Sequence, residues 1–371
     1  MENWCSWVVV AASLTVACNG GGGGDGQSPE ADVDEYDALE ADLEQHREVF
    51  REGAAQDFAA AENTIFFIDA SAGNPVLKSF DHGSNTETDY AFRPYLSGPN
   101  NPNPIDNLNF FASTSVIATM NELDGVNAYA PGQAEEHLGK LVLPAPPYGQ
   151  SWWAYAVSGG QVYIAVLNEA GKLELQQWTP GAEASTTVAV FDDLIAPNPM
   201  GEFHTFAVSG STLIFDEGGR IWVAELGDEK AAWVQNDQEV TGADFQSDAI
   251  VYSEDTEFWL YDRASDSRSN LSDRIRGNGY ELNATFAEAH YPDTDCHWSR
   301  RGSMIYYEAN FGIFAYDLDA DTVTPILLSA RDNSTVYRYP TVLADGTLFV
   351  KGLESSSGSV GADGPTYMLT P

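Results

Sequence analysis

From Asn63 onward apolar residues come in short runs rather than at helical spacing, with Gly, Pro, Asn and Asp between them. That is the pattern of many short β-strands joined by tight turns. Seven runs stand out, at 64–69, 115–120, 161–166, 212–216, 249–253, 304–308 and 347–351. Their centres (Phe66, Ile117, Tyr163, Ile214, Val251, Tyr306 and Phe349) lie 51, 46, 51, 37, 55 and 43 residues apart. The mean, about 47, is close to the roughly 40–50 residues of a four-stranded propeller blade. Ala156-Val157-Ser158-Gly159 and Ala207-Val208-Ser209-Gly210 repeat the same words 51 residues apart. Several units add a further run: 220–226 after Gly218-Gly219, 258–262, and 313–318. These runs are apolar at successive positions, so both faces of each sheet need cover. Small sheets with two apolar faces are satisfied by stacking in a closed ring, which also removes long exposed edges. The expectation is an all-β fold, a seven-bladed β-propeller over 61–371 (six or eight being the neighbouring counts), preceded by an N-terminal helix. The last unit, 347–371, is short of strands, and residues near Thr64 are expected to supply the missing one.

The segment before the strands has a different period. Ser28-Pro29-Glu30 reads as an N-cap, a first-turn proline and an acidic first turn. Tyr36, Leu39, Leu43, His46 and Phe50 then follow at spacings of 3, 4, 3 and 4, one face of a helix, and Gly53 supplies a stop. A helical neck over 29–60 is expected to lie on the main domain, with Glu44–Arg47 and Glu48–Arg51 paired on its outer faces. Residues 19–28, including Gly20 to Gly24, offer almost nothing to pack and read as a flexible tether. Trp4 to Ala17 is uncharged and mostly apolar over 14 residues. At 1.5 Å per residue it covers about 21 Å of a roughly 30 Å hydrocarbon layer, so 1–18 reads as a secretion leader rather than a span. Met1-Glu2-Asn3 carries no basic charge, so the start of translation is expected upstream, or the charge is dispensable.

Two resemblances sharpen this picture. Leu14-Thr15-Val16-Ala17-Cys18 resembles the lipobox of bacterial lipoproteins. It implies that Cys18 is acylated and becomes the first residue of the mature chain, and that Asn19, standing where Asp would retain the protein at the inner membrane, favours the outer one. Trp298-Ser299-Arg300-Arg301-Gly302-Ser303-Met304-Ile305-Tyr306-Tyr307, followed by 313–318, resembles the TolB-type (WD40-like) propeller repeat. That repeat reads Trp-Ser-Pro-Asp-Gly, an apolar strand, then a strand ending in Asp-Leu; Arg300-Arg301 stand in place of Pro-Asp. Tyr339-Pro340 with Asp345-Gly346-Thr347-Leu348-Phe349 resembles a second copy and 248–262 a degenerate third. The match covers about a third of the chain and implies a periplasmic propeller that binds protein or glycan.

Composition then excludes function classes. With 43% hydrophobic and 12% aromatic residues over 371 positions, the chain can bury a large core and is not globally disordered. Its 17 Lys+Arg against 56 Asp+Glu give a net charge of −39, which repels a phosphate backbone and excludes a nucleic-acid partner. Such acidity suits either a surface adapted to high salt or a basic partner held by charge. Of three cysteines, Cys5 leaves with the leader and Cys18 is acylated, so Cys296 has no partner for an internal disulfide. No run after residue 18 is long and apolar enough to span a bilayer.

Candidate chemistry is sparse. His290-Tyr291-Pro292-Asp293-Thr294-Asp295-Cys296-His297 places Asp293, Asp295 and His297 on one face of an extended segment, a spacing that suits a metal, although a loop entering a blade explains the same residues more simply. Asp317, Asp319 and Asp321 imitate the start of a calcium loop. Thr322 and Leu328 occupy its sixth and twelfth positions, where an EF-hand needs Gly and Glu, and a hairpin turn accounts for the acids. Trp152-Trp153 reads as blade core ahead of a sugar platform. His204, Asp244, Arg93 and Glu288 are candidate pocket residues with no motif to join them. No nucleophile elbow, zinc-binding helix or P-loop occurs. No catalytic, cofactor or metal residue is therefore assigned, and Cys18 is the single site residue. The expected function is non-catalytic binding or scaffolding of a protein or glycan at the cell envelope, anchored in the membrane by lipid. The alternative is a propeller-type polysaccharide lyase or glycosidase working at the channel mouth.

Overall fold

The computed structural model describes residues 29–53, 55–69, 76–90, 110–121, 125–133, 137–142, 154–167, 172–195, 206–217, 220–227, 232–234, 240–246, 249–254, 257–277, 298–309, 312–329, 335–356, 359–360 and 364–371. They form seven small antiparallel sheets in a ring, a seven-bladed β-propeller. Six blades are consecutive four-stranded meanders. Blade 1 is Ala55–Ala61, Thr64–Asp69, Val76–Asp81 and Thr86–Asp89; blade 2 is Phe110–Ala112, Ile117–Asn121, Gly125–Tyr129 and His137–Leu141. Blade 3 is Ala154–Ser158, Gln161–Leu167, Lys172–Trp178 and Thr186–Ile195; blade 4 is Phe206–Ser209, Thr212–Glu217, Arg220–Glu225 and Ala232–Val234. Blade 5 is Val240–Gln246, Ala249–Glu254, Glu257–Asp262 and Ser267–Asn270; blade 6 is Trp298–Arg301, Met304–Ala309, Gly312–Asp317 and Thr322–Leu328. Every one of the seven runs read from the sequence is the second strand of its blade.

The side-chain alternation of those second strands builds the ring. Counting from the first turn of each blade, the second residue (Ile65, Ile117, Val162, Leu213, Ile250, Ile305, Leu348) packs against the preceding blade. The third (Phe66, Ala118, Tyr163, Ile214, Val251, Tyr306, Phe349) packs against the following one. Seven hydrophobic clusters result, one between each pair of neighbours, blades 7 and 1 included. This is the physical content of strands apolar on both faces: a period of two feeds two different interfaces. In blade 2 the equivalent centre is Ala118 rather than Ile117, because Ser113 already pairs with Val116 across the first turn (2.8 Å).

Blade 7 is closed from the other end of the chain. Its strands run Thr335–Val342, Leu348–Ser356 and Thr366–Leu369, with β1 (Arg47–Arg51) outermost; Ser359–Val360 pairs with Leu348–Ser356. β1 is antiparallel to the last strand, in the register Arg47↔Leu369, Glu48↔Met368 and Val49↔Tyr367. This corrects two expectations. The strand that completes the ring is not near Thr64, which begins the second strand of blade 1, and the helix does not run through the whole of 29–60. Helix α1 (Pro29–Glu44) ends where the Gln45 and His46 amides reach the Asp42 and Leu43 carbonyls at 3.2 Å. Tyr36, Leu39 and Leu43 do share a face, packing into the cluster between blades 5 and 6, and the Tyr36 hydroxyl donates to the Ser329 carbonyl at 2.8 Å. Phe50 fits the helical period but makes its contacts from an extended strand, with ring centroids 4.9 Å from Phe349, 5.0 Å from Phe80 and 5.5 Å from Phe67. Burying that ring in the closing interface outweighs continuing the helix by two turns.

A second helix, α2 (Leu271–Gly277), follows the outer strand of blade 5. Asn270 caps it, accepting the Asp273 amide at 2.9 Å, and Leu271 and Ile275 are buried in the blade 5–6 cluster. Arg300 donates to the Ala249 carbonyl of blade 5 at 3.1 Å and so ties two blades together.

Candidate functional site

The sequence candidates divide into those within the described residues and those outside them. Cys18, Arg93, Trp152, Trp153, His204, Glu288 and the segment from His290 to His297 lie outside. Asp244 lies on the inner strand of blade 5, opposite Val251. Among the described residues no group of three or more His, Cys, Asp or Glu is placed to hold a metal.

The three aspartates after blade 6's third strand act as a turn. Asp317 accepts the Asp319 and Ala320 amides at 2.9 and 3.3 Å, and these bonds hold its carboxyl below the usual carboxylate range. Asp321, at φ 56°, accepts from Arg274 at 3.0 Å and from the Tyr316 hydroxyl. Blades 1 and 5 repeat the device. Asp81 takes the Ser84 hydroxyl and amide (2.7 and 2.6 Å), Asp262 takes the Ser265 hydroxyl and the Ala264 amide (2.8 and 2.9 Å), and Asn85 and Asp266 sit at φ 54° and 51°. These bonds bend the chain back after a strand ending in Asp, which accounts for the acids as a turn.

A site that sequence reasoning did not select emerges when the seven blades are compared position by position. The inner strands touch their neighbours around the axis, so their open edge is the wall of the central channel. Opposite the fourth residue of the second strand, blades 2, 3, 4 and 6 carry an aromatic on the inner strand: Phe110 opposite Thr119, Tyr155 opposite Ile164, Phe206 opposite Phe215 and Trp298 opposite Tyr307. Blade 5 carries Ala243 opposite Tyr252, and blade 1 has a bulge there, its pairing jumping from Gln56↔Ile68 to Ala59↔Phe66. Trp298 packs against blade 5, its ring 5.7 Å from Phe258. Blade 7, like blade 1, has a bulge at this position. Its pairing jumps from Thr341↔Phe349 to Arg338↔Lys351, leaving Tyr339 and Pro340 as a bulge opposite Val350. Tyr339 takes φ 56°, unusual for a bulky side chain, and is 39% exposed instead of packed on blade 6.

Glu308 holds the bulge in that shape. It lies at the fifth position of blade 6's second strand, where blades 1 to 3 have Ile68, Met120 and Ala165 and blades 4 and 5 have Asp216 and Ser253, and it is only 1% exposed. One carboxylate oxygen accepts the Tyr339 amide at 2.6 Å and the other accepts Arg338 at 2.7 Å. Blade 7 carries another charge, Lys351, at the same fifth position, and it too is buried. Burying a carboxylate costs several kcal/mol, on the order of the net stability of a small domain, unless close partners compensate it. Here the compensation comes from an arginine and from the amide of a residue in a strained conformation. Strained, over-determined residues of this kind concentrate at functional sites. The sequence signal for the site is a charge inside an apolar strand: Glu308 in Met304–Ala309 and Lys351 in Leu348–Ser356.

No family model and no curated protein matches the sequence. Solved structures do match. The extracellular domain of a hybrid two component system of B. thetaiotaomicron is 10% identical at a TM-score of 0.50, over 87% of this chain and 39% of that one. Puromycin hydrolase is 12% identical at a TM-score of 0.51, over 82% of this chain and 50% of that one. The chain thus spans half or less of either structure, and the likeness is one of fold, the β-propeller.

Proposed function

We propose that the protein is an envelope lipoprotein, acylated at Cys18 and carried on the Gly tether, whose propeller is a non-catalytic binding platform with its site on the channel wall of blades 6 and 7. A propeller fold supports a platform as well as an enzyme. The observation that carries the binding reading is Tyr339, an exposed aromatic on a bulge of blade 7's inner strand whose amide is held by the buried Glu308. Glu308 itself is sealed from solvent and committed to Arg338 and a backbone amide, which fits holding a surface in shape rather than acid–base chemistry. The lipobox resemblance and the tether support anchoring, with the outer membrane favoured by Asn19.

Two experiments test this. Mass spectrometry of the mature N-terminus should find a diacylated Cys18, and an unmodified Met1 would end the lipoprotein reading. Pull-down from envelope extracts should capture a partner or glycan with the wild-type chain and lose it with Tyr339→Leu. Cleavage of polysaccharide by the purified chain would instead establish the lyase or glycosidase.

A further inference from the structure

We infer that the interface between blades 7 and 1 encloses a site for a water molecule, held between Thr366 and Arg51 where the ring closes. The pairings of blade 7 place four polar residues in one row: Arg338 opposite Lys351, Lys351 opposite Thr366, and Thr366 opposite Arg51. Directly opposed residues share a face of the sheet, with Cβ atoms about 5 Å apart. Lys351 stands two residues from Phe349, and Thr366 two from Met368, and both of these pack into the cluster shared with blade 1. The Arg51 guanidinium lies 5.5 Å from the ring centroid of Phe67 in blade 1. Lys351, Thr366 and Arg51 therefore turn toward the closing interface. Thr366 is fully buried, yet its hydroxyl has no hydrogen-bond partner among the described residues. Arg51 Nε is likewise sealed from solvent and without a partner. Two such groups, opposite one another across a strand pair, are what a bridging water satisfies.

The backbone is irregular at this point. The pairing of β1 jumps from Val49↔Tyr367 to Arg51↔Thr366, so Thr366 lies at a bulge, where the ladder is locally opened. Charge then selects a neutral ligand over an anion. Arg51 pairs with Glu87, and Lys78 meets Asp69, Glu87 and Asp89. With Lys351, three cations stand against three carboxylates around the row, and the interface is balanced as it is. The chain carries 39 negative charges in excess, and their field works against a further anion. A water accepts the Nε–H of Arg51 and donates to the threonine oxygen without altering that balance. The bridge would join the closing strand β1, from the start of the described chain, to the strand at its end.

Two measurements on the purified full chain test this. A high-resolution crystal structure, with bromide in place of chloride in the medium, should show a peak about 2.7–3.2 Å from both Thr366 Oγ1 and Arg51 Nε, without anomalous bromide signal. Urea unfolding supplies a readout whose sign differs between the two cases. Thr366→Val keeps the shape of the side chain and removes the hydroxyl. With the water in place a satisfied hydrogen bond is lost, and the folding constant should fall at least about threefold; with a merely orphaned hydroxyl its removal raises the constant. Arg51→Lys keeps the charge that faces Glu87 and removes Nε. In that background the Thr366→Val loss should shrink below about twofold, because the two groups act through one shared partner. An empty site, a bromide peak, a smaller loss or a gain in Thr366→Val, or the same loss in both backgrounds would each overturn the inference.

Discussion

Replacing Phe50 by alanine asks whether the ring is closed by β1. Phe50 is half-buried in the interface between blades 7 and 1, its ring within 4.9–5.5 Å of Phe349, Phe80 and Phe67, with the Arg51 guanidinium 4.6 Å from its centroid. Deleting a fully buried phenylalanine costs about 3–5 kcal/mol. Partial exposure reduces this to about 2–3 kcal/mol, of which edge-to-face geometry supplies about 0.5–1.5 kcal/mol per pair. Val49 gives a matched control on the same strand, since it is 51% exposed and its truncation should stay within about 0.5 kcal/mol. Urea unfolding followed by tryptophan fluorescence and far-ultraviolet dichroism reads both. Phe50→Ala should lower the midpoint clearly, and Val49→Ala should leave it nearly in place. Equal stability of the two variants would refute the closing role of β1, because a strand that bridges blades 7 and 1 cannot lose its largest contact without effect.

Other expectations follow from the ion pairs, turns and close approaches. Lys78 meets Asp69, Glu87 and Asp89 at 3.1, 3.2 and 3.3 Å. Lys78→Met should destabilise by about 1–2 kcal/mol, a part-buried pair loss discounted for solvent, with Asp89→Asn restoring part of it in thermal melts, since Glu87 also pairs with Arg51; no recovery would argue against charge as the cause. Asp81, Asp262 and Asp317 are held below the ordinary carboxylate range, led by the Ser84 hydroxyl, the Ser265 hydroxyl and the Asp319 amide respectively. Their contribution is therefore complete above the unfolded value, near 3.9, and is lost as pH falls through the lower folded values. The stability difference between neutral pH and about pH 3 should shrink in the triple Asn variant, and a difference as large as wild type would count against these caps. Gly312 begins blade 6's third strand with a Cβ position 2.0 Å from the Leu327 carbonyl oxygen, whereas Gly302 has nothing within 4 Å. Gly312→Ala should cost about 2–3 kcal/mol and Gly302→Ala only the left-handed penalty of about 1–2 kcal/mol, a ranking that chemical denaturation checks.

The seven second strands were legible because each is apolar on two faces and bounded by turn residues, a signal that survives without any neighbour. The limit of helix α1 was not, since Tyr36, Leu39, Leu43, His46 and Phe50 satisfy one helical period throughout. Nothing local says that the last of these belongs to a strand paired with residues more than 300 positions away. The short helix α2 left a readable trace in Asn270 and Asp273, a capping pair, although its single hydrophobic step, Leu271 to Ile275, is too short to establish a period. Asp317 was legible as a turn and is one. Tyr339 was legible only as part of a repeat word, Tyr339-Pro340, with no sign of the bulge that it occupies.

The order of strands, the number of blades and the acidity are properties of the chain read by itself, because they depend on local period, turn chemistry and composition. Which segment closes the ring, and which aromatic is left exposed on a bulge, were decided by tertiary contacts. Phe50 takes up its extended form because three rings from two blades surround it, and Tyr339 keeps its strained backbone because a carboxylate from the adjacent blade grips its amide. Both depend on partners that become neighbours only when the first and last parts of the chain meet.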